Sequence, residues 1–578
     1  MYIDINGIEL KGSDTMTLRP REGFMEFEPA TKEQITELTA KVETTSKDVG
    51  DVSFLGTNPR SVTVATSEVT LNVKDFGAKG DSVTKEAVSI QKALDKIKTT
   101  GSGKVFIPKG KYLIEKPLQV YQNTTVEIDE SAELITDSAG TASNMFINGE
   151  FKNIGYSSLY NGDGNITIRG GTINVNQQTR TAISFSHGSS IKIEGVYFKN
   201  VVDNHFIELS AVQDVLVTGC SFVNFKNVDT AGRNYVEAIQ IDTNTSSAFP
   251  AFGAYDNTPV KDVIVEKCYF GSDSTAPTGF GAIATGVGSH GSVNNVWNTG
   301  ITVRDCVFDG LTYCGVRGAK WNDSLIENNR FYNCARAISF ETISGDNQSY
   351  KKVVIAGNSL YGCGSASDAI KVTGTSTNKV IGVQIKNNHI ENTNSAYNPV
   401  SVLYADSLFV ESNFSTSARR LLYSYKCTNI SLKNNKGNTL GYNAFYISFC
   451  DDIAVSENVF SGMGHQGFLI EGCNGGLVHD NILTDCAVDN GAIQLYSVCS
   501  NFIIHDNIVK TGVANTLALY GLYLHTDSVN IRHYNNLLKG STAPINSAVN
   551  GQLTLSKPDG TIVNVKVNAS NQLVVTQE

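Results

Sequence analysis

IEGVYF at Ile193–Phe198, VTGCSF at Val217–Phe222, VEKCYF at Val265–Phe270 and VRDCVF at Val303–Phe308 are one phrase written four times. It reads apolar or β-branched, two spacers, a small or amide residue, one spacer, apolar. The phrase recurs with its fourth position at 171, 196, 220, 268, 306, 329, 358, 388, 413, 435, 458, 481, 507 and 536. Most gaps are 22 to 30 residues; two are longer, 48 from Cys220 to Cys268 and 38 from Cys268 to Cys306. A period of this size marks a solenoid in which each repeat buries its apolar face against the next. Between the phrases lies a second short strand in each repeat: EAIQID at 237–242, GAIATG at 281–286, CGVRGA at 314–319, RAISFE at 336–341 and DAIKVT at 368–373. Two or three strands per repeat with no helix between them predict an all-β, parallel β-helix over 71–550.

Bulk composition agrees. Of 578 residues, 52 are Gly and 11 Pro, and charged residues make up 18%, which suits many short strands joined by Gly, Asn and Ser turns. The net charge of −10, without a basic block, speaks against nucleic acid as a partner. No apolar run is long enough for a membrane span, and the start, MYIDINGIELKGSD, does not read as a signal peptide. Three of the 11 Cys (Cys220, Cys268, Cys306) share the fourth phrase position, and Cys427, Cys450, Cys473 and Cys499 recur at 23, 23 and 26 residues. Stacked, buried, reduced thiols explain that spacing. Asn329, Asn358, Asn388, Asn435, Asn458, Asn481 and Asn507 at the same position predict an internal amide ladder, a structural role.

Three segments lie outside the regular repeats. In residues 1–70, Ile35, Leu38, Val42, Thr45, Val49 and Val52 step by three and four, which reads as a short coiled coil or a lone surface helix. Thr84–Thr99 predicts an amphipathic helix, with Ala87, Ile90, Leu94 and Ile97 on one face, that closes the open end of the solenoid. Residues 551–578 alternate around Asp-Gly and Ser-Asn-Gln turns, predicting a small C-terminal β cap or trimer clasp.

The two stretched repeats are where chain was added, and they hold the candidate chemistry. Alternation sends Ile239 and Ile241 inward and Gln240 and Asp242 outward, with Ala284 and Arg317 outward on the following strands. At about 4.8 Å per rung, Arg317 is expected about 10 Å from Asp242. The added loops bring Tyr255 and Asp256 (PAFGAYDNTP) and His290 (GVGSHGS). Glu237, Asp242, Asp256 and His290 are the candidate catalytic set, since hydrolysis of a glycosidic or phosphodiester bond needs an acid, a base and a group to orient them. Asp242 is expected as the base or a charge stabiliser, Asp256 or Glu237 as the acid, and His290 as the proton-transfer group. Gln240, Tyr255, Arg317, Lys320, Trp321 and Arg336 are candidate substrate contacts, the cations suiting an anionic polymer and the aromatics a sugar face. The acidic cluster also admits Ca2+, although no spacing selects a metal. Each residue has a structural reading as well: a solvated carboxylate, a backbone-bonded histidine, a salt bridge, a core tryptophan.

LNVKDFGAKGD at Leu71–Asp81, the helix after it and KVFIPKGKYLI at Lys104–Ile114 resemble the opening of the pectate-lyase-like right-handed β-helix proteins, polygalacturonases and phage tailspikes among them. The polygalacturonase order of Asp, Gly-His and Arg-x-Lys has an echo in Asp242, His290, Arg317 and Lys320, with one Asp in place of two adjacent ones. EAIQID, FGAYDNTPVKDVIVEKCYF and GVGSH further resemble tailspike and preneck-appendage proteins of phages and prophages of Bacillus and related Gram-positive hosts. That resemblance implies a homotrimer attached to other virion proteins through residues 1–70. It implies binding, and often hydrolysis, of a host cell-wall polysaccharide or wall teichoic acid. A non-catalytic receptor-binding adhesin and a polysaccharide lyase are the alternatives.

Overall fold

The phrase is a corner. In a computed structural model, each copy ends one short strand, bends, and starts the next: Lys261–Glu266 passes through Lys267 and Cys268 into Tyr269–Gly271. The residue before the fourth position takes left-handed backbone, with φ of 61° at Gly195, 54° at Lys267, 54° at Asp305 and 55° at Asn328. Gly, Asn and Asp reach that region most readily, which explains their recurrence there.

The structure describes residues 69–546 apart from 141–143, 229–235, 343–345, 347–350, 395 and 488–489. It also gives the backbone strands Asp4–Ile5, Ile8–Lys11, Thr17–Arg19, Gln552–Ser556, Ile562–Val567 and Leu573–Gln577. Two units separate, Met1–Glu68 and Val69–Glu578. In the first, the three short strands pair antiparallel. The heptad positions 35–52 lie outside the described residues. In the second, the last three strands also pair antiparallel.

Between them the chain winds through three long parallel sheets, two of them 16-stranded, in which every strand pairs with the strands one coil before and one coil after. This is the right-handed parallel β-helix expected from the phrase. Its interior is one continuous apolar core. Phe198, Phe222, Phe270, Phe308 and Phe331, each the last residue of its phrase, stack ring on ring at 5.0, 4.9, 4.7 and 4.7 Å. Burying each ring contributes about 1.5–3 kcal/mol. All 11 cysteines are reduced and buried. In the second stack the Cys427 N–H donates to the sulfur of Cys450 and the Cys450 N–H to that of Cys473, both at 3.3 Å.

The amide ladder is longer than the sequence reading named, running through Asn329, Asn358, Asn388, Asn413, Asn435, Asn458, Asn481, Asn507 and Asn536. Each Nδ2 donates to the next Oδ1 at 2.9–3.0 Å. At the N-terminal end the helix spans Ala87–Thr100, with Ala87, Ile90, Ala93, Leu94 and Ile97 buried in the same core. Gly101, at φ 86°, stops it. No described helix is long and apolar enough to cross a membrane.

One strand differs from its expected place. The strand next to Glu237–Asp242 is Thr285–Gly288, four residues beyond the start of GAIATG. Val287 fills the core position between Ile239 and Val316, and that contact sets the register. The outward position opposite Gln240 is therefore Gly288, not Ala284, and the chain reaches His290 opposite Asp242.

Candidate functional site

Ala238 and Ile239 both enter the core, so alternation breaks at the start of this strand. Glu237 comes to the same outer side as Gln240 and Asp242. "Outer" does not mean exposed here, because all six residues of Glu237–Asp242 are buried. The segment after Thr285–Gly288 folds over them. Its Gly291 passes so close to Asp242 that a Cβ would sit 2.8 Å from Oδ2 and 2.4 Å from the Ala248 Cβ. Only glycine fits there.

The geometry centres on His290. Its Nδ1 lies 2.9 Å from Glu237 Oε2 and its Nε2 3.9 Å from Asp242 Oδ2. The Asp242 carboxylate accepts from the backbone N–H of His290 at 3.1 Å and of Gly291 at 2.8 Å, and from Gln240 Nε2 at 2.7 Å. Gln240 Nε2 also donates to the Ala248 carbonyl. Arg317 reaches in from the next coil, with Nη1 3.8 Å from Glu237 Oε1 and donating to the Ser289 carbonyl at 3.1 Å.

His205 closes the other side. Its ring stacks on His290 at 5.6 Å, and its Nδ1 is 3.7 Å from Glu237 Oε2. Glu208, on the strand Ile207–Ser210 that follows His205, takes a hydrogen bond from Ser184 at 2.6 Å and stands one rung from Gln240.

This environment separates the titrations of four groups. Burial acts to raise Glu237, but the charge and hydrogen bond of His290, with His205 and Arg317, outweigh it and hold Glu237 below the usual carboxylate range. Burial lifts Asp242 to about 6 despite His290, with Glu237 adding to the rise. Burial lifts Glu208 to about 7. Burial acts to lower His290, yet Glu237 and Asp242 carry it up to about 9. At neutral pH the site is an imidazolium held between two carboxylates. Such strongly perturbed groups cluster at functional sites.

The structure thus unites Glu237, Asp242, Gln240, His290 and Arg317. It does not bring Asp256 to them. Asp256 accepts from the Leu159 N–H at 2.9 Å and the Thr258 N–H at 3.0 Å, organising its own loop. That loop is drawn away because Phe249, Ala251 and Phe252 bury themselves with Ile147 in a separate apolar cluster, with Phe151 and Tyr156 against it. Tyr255, half-buried at φ 50°, travels with the same loop.

Lys320 and Trp321 are framework. Lys320 is buried, donating to Asp346 at 2.8 Å and to the Val293 carbonyl at 2.7 Å. Trp321 is 0% exposed, and its indole N–H donates to Ser289 Oγ at 2.6 Å, so no sugar can stack on it. Arg336 is tied to Glu341 at 2.9 Å and to Ser339 and Ser367. Asp242, at 1% exposure and with three donors on it, is closed to the water it was expected to activate.

His205 and Glu208 were missed, although NHFIEL at 204–209 aligns rung for rung on VEAIQI at 236–241. The His205, Glu237 and His290 ligand atoms lie within 4.8 Å of one another, a spacing that would hold a metal ion only if His290 gave up its proton. Two imidazoles and one carboxylate suit a zinc-type ion, not calcium, which takes six to eight oxygens.

Comparison with known proteins agrees with the architecture. Residues 70–127 match the family described as rhamnogalacturonase A/epimerase, pectate lyase-like, and residues 398–557 match the right-handed beta helix region. The plasmin and fibronectin-binding protein A of Streptococcus pneumoniae is 27% identical over 286 residues, 46% of this chain and 39% of that protein, so the match spans less than half of the relative's length. The solved structure of the S. pneumoniae surface protein and adhesin PfbA superposes with a TM-score of 0.50 at 19% identity, over 77% of this chain and 100% of that one. A tailspike of E. coli bacteriophage HK620 aligns over 92% of this chain and 90% of its own at 13% identity and a TM-score of 0.48. The chain is a right-handed parallel β-helix, similar in sequence over residues 70–127 to the pectate lyase-like family and over 398–557 to the right-handed beta helix region, and in fold to a bacterial surface adhesin.

Proposed function

We propose that the protein binds a negatively charged cell-surface glycopolymer along the outer face of this sheet and cuts it by hydrolysis, with His290 giving the proton. The observation that carries this reading is His290 itself. It is an imidazolium at neutral pH, its side chain is 26% exposed, and it stands beside Arg317. Arg317 offsets the polymer's charge, and His290 Nε2 protonates the departing oxygen. Glu237 keeps the ring charged and oriented through Nδ1. Asp242 fixes the covering loop and adds negative charge beside Nε2, at 3.9 Å. Water attacks from the open side, the bond to the departing oxygen breaks, and the water's proton returns to the now neutral His290.

Wall teichoic acid, anionic through its phosphodiesters, is the polymer class the sequence resemblance points to. A homotrimer mounted on a virion through residues 1–70 and acting at the host surface is the corresponding setting. The likeness to a bacterial surface adhesin supports a place at a cell surface.

Binding without turnover is the second reading. One observation favours it: Glu208, Glu237 and Asp242 are all buried, so none of the three offers an open base. The test is incubation with purified wall polymers, products being identified by mass. Shortened chains from the wild type, and a loss of about 10²–10⁴-fold in rate for His290→Ala, support hydrolysis. Retention of polymer at unchanged length decides for binding alone, and neither retention nor cleavage of any acidic polymer refutes both.

A further inference from the structure

The outer column of the same sheet continues past Arg317 through Ser339, Lys371, Ser401, Tyr423 and Tyr446, one residue per coil. Four rungs at about 4.8 Å put Tyr423 about 19 Å beyond Arg317. Beside that column, the turn between Phe414–Ala418 and Leu422–Tyr425 carries Arg419 and Arg420. Tyr442 occupies the same turn one coil on, its N–H donating to the Arg419 carbonyl at 2.7 Å, and its ring stacks on His465 at 4.0 Å. The Arg419 and Arg420 guanidinium carbons lie 5.1 and 5.4 Å from the centre of the Tyr442 ring. Arg420 also lies 5.2 Å from the ring of Tyr446, which is 5.1 Å from that of Tyr423.

Arg420 is out of keeping with Lys320, the other buried cation among the described residues, which has Asp346; even the half-buried Arg336 has Glu341. Arg420 is 5% exposed, yet among the described residues no carboxylate pairs with it and no acceptor takes a hydrogen bond from its guanidinium; its Nε is shut from water without a partner. Burial, then the charge of Arg419, lower it to about 10. Glu471, two coils on, is engaged by the Tyr446 hydroxyl and by Ser448 Oγ at 3.4 Å. A buried guanidinium held only by tyrosine faces, beside a second one, gains stability when an anion from outside completes it. Tyr442 is 40% exposed, so an aromatic face stands open next to it.

We propose that Arg419, Arg420, Tyr423, Tyr442 and Tyr446 form a second binding site, for a carboxylate or phosphate group carried on a sugar. The Arg420 guanidinium takes the anionic oxygens, and the open tyrosine face takes the ring. The site stands independently of the chemistry at His290.

The test is calorimetric titration of the full chain carrying His290→Ala and Arg317→Ala, so that the first site cannot contribute. Glucuronate, glycerol phosphate and glucose are the probes. Binding of glucuronate or glycerol phosphate, with none of glucose, supports the site, and the anion that binds identifies the group. Adding Arg420→Met is expected to weaken that binding at least about tenfold and to abolish the rise in melting temperature given by the anion. Without anion the methionine variant is expected to melt no lower than its parent, since an uncompensated buried charge has been removed. No binding of either anion, equal binding after Arg420→Met, or a fall of more than about 5 °C in the anion-free variant overturns the assignment.

Discussion

The coils from Asn329 to Asn536 and the coils from Cys220 to Cys306 belong to the same three sheets, but their polar residues do opposite work. In the first set, each buried Asn finds its partner in the identical residue one coil away. The arrangement is self-completing, with nothing left over to do chemistry. In the second set the coils are longer, and unlike groups close on one another: Glu237, Asp242 and His290, joined by His205 from the regular coil before and Arg317 from the regular coil after. Unlike groups in a buried cluster shift one another's titration, whereas an amide ladder has no titration to shift. The difference shows how one solenoid holds both a rigid scaffold and a reactive patch, the patch lying where added chain lets unlike side chains meet.

The largest effect expected from breaking this contrast is on the ladder. Asn458→Leu removes an amide whose Nδ2 donates to Leu432, Ser456 and Asn481 and whose oxygen accepts from Asn435. It strands several buried partners and is expected to cost about 3 kcal/mol or more by urea unfolding, while polymer binding per folded molecule is unchanged. Lys320→Ala comes next. It leaves Asp346 buried without its cation, though still accepting from the Asn295 N–H, and is expected to cost about 3 kcal/mol, again with polymer affinity retained in the folded fraction. A selective loss of affinity would return Lys320 to the polymer contacts. The smallest effect is expected at Asp256→Asn, about 1 kcal/mol in melting experiments and no change in polymer turnover, because its oxygens serve only loop N–H groups.

The scaffold was legible in the sequence because its period repeats in every coil. One phrase fixes the strand, the left-handed corner and the ladder residue together. The site was legible in part. Glu237, Asp242 and His290 meet as the strand order requires, and Arg317 follows two rungs on from Gln240. Asp256 and Trp321 misled for the same reason. Both stand in stretches of added or irregular chain, where apolar burial decides placement, and that burial is invisible to alternation: Phe249 and Phe252 drew one loop away, and the core took the tryptophan. His205 was within reach of register counting alone, one rung before Glu237.

The claim that the stretched coils hold a charged imidazole is tested most directly by a pH titration of His290 by NMR. Because its value in the folded chain is raised, the stability it contributes is complete below about 6.5, the ordinary histidine value, and is lost as pH rises through about 9. A midpoint near 9 in the wild type that falls by at least about one unit in Glu237→Gln is the result the account predicts. A wild-type midpoint at or below 6.5 would mean that His290 is neutral at physiological pH, and would contradict it.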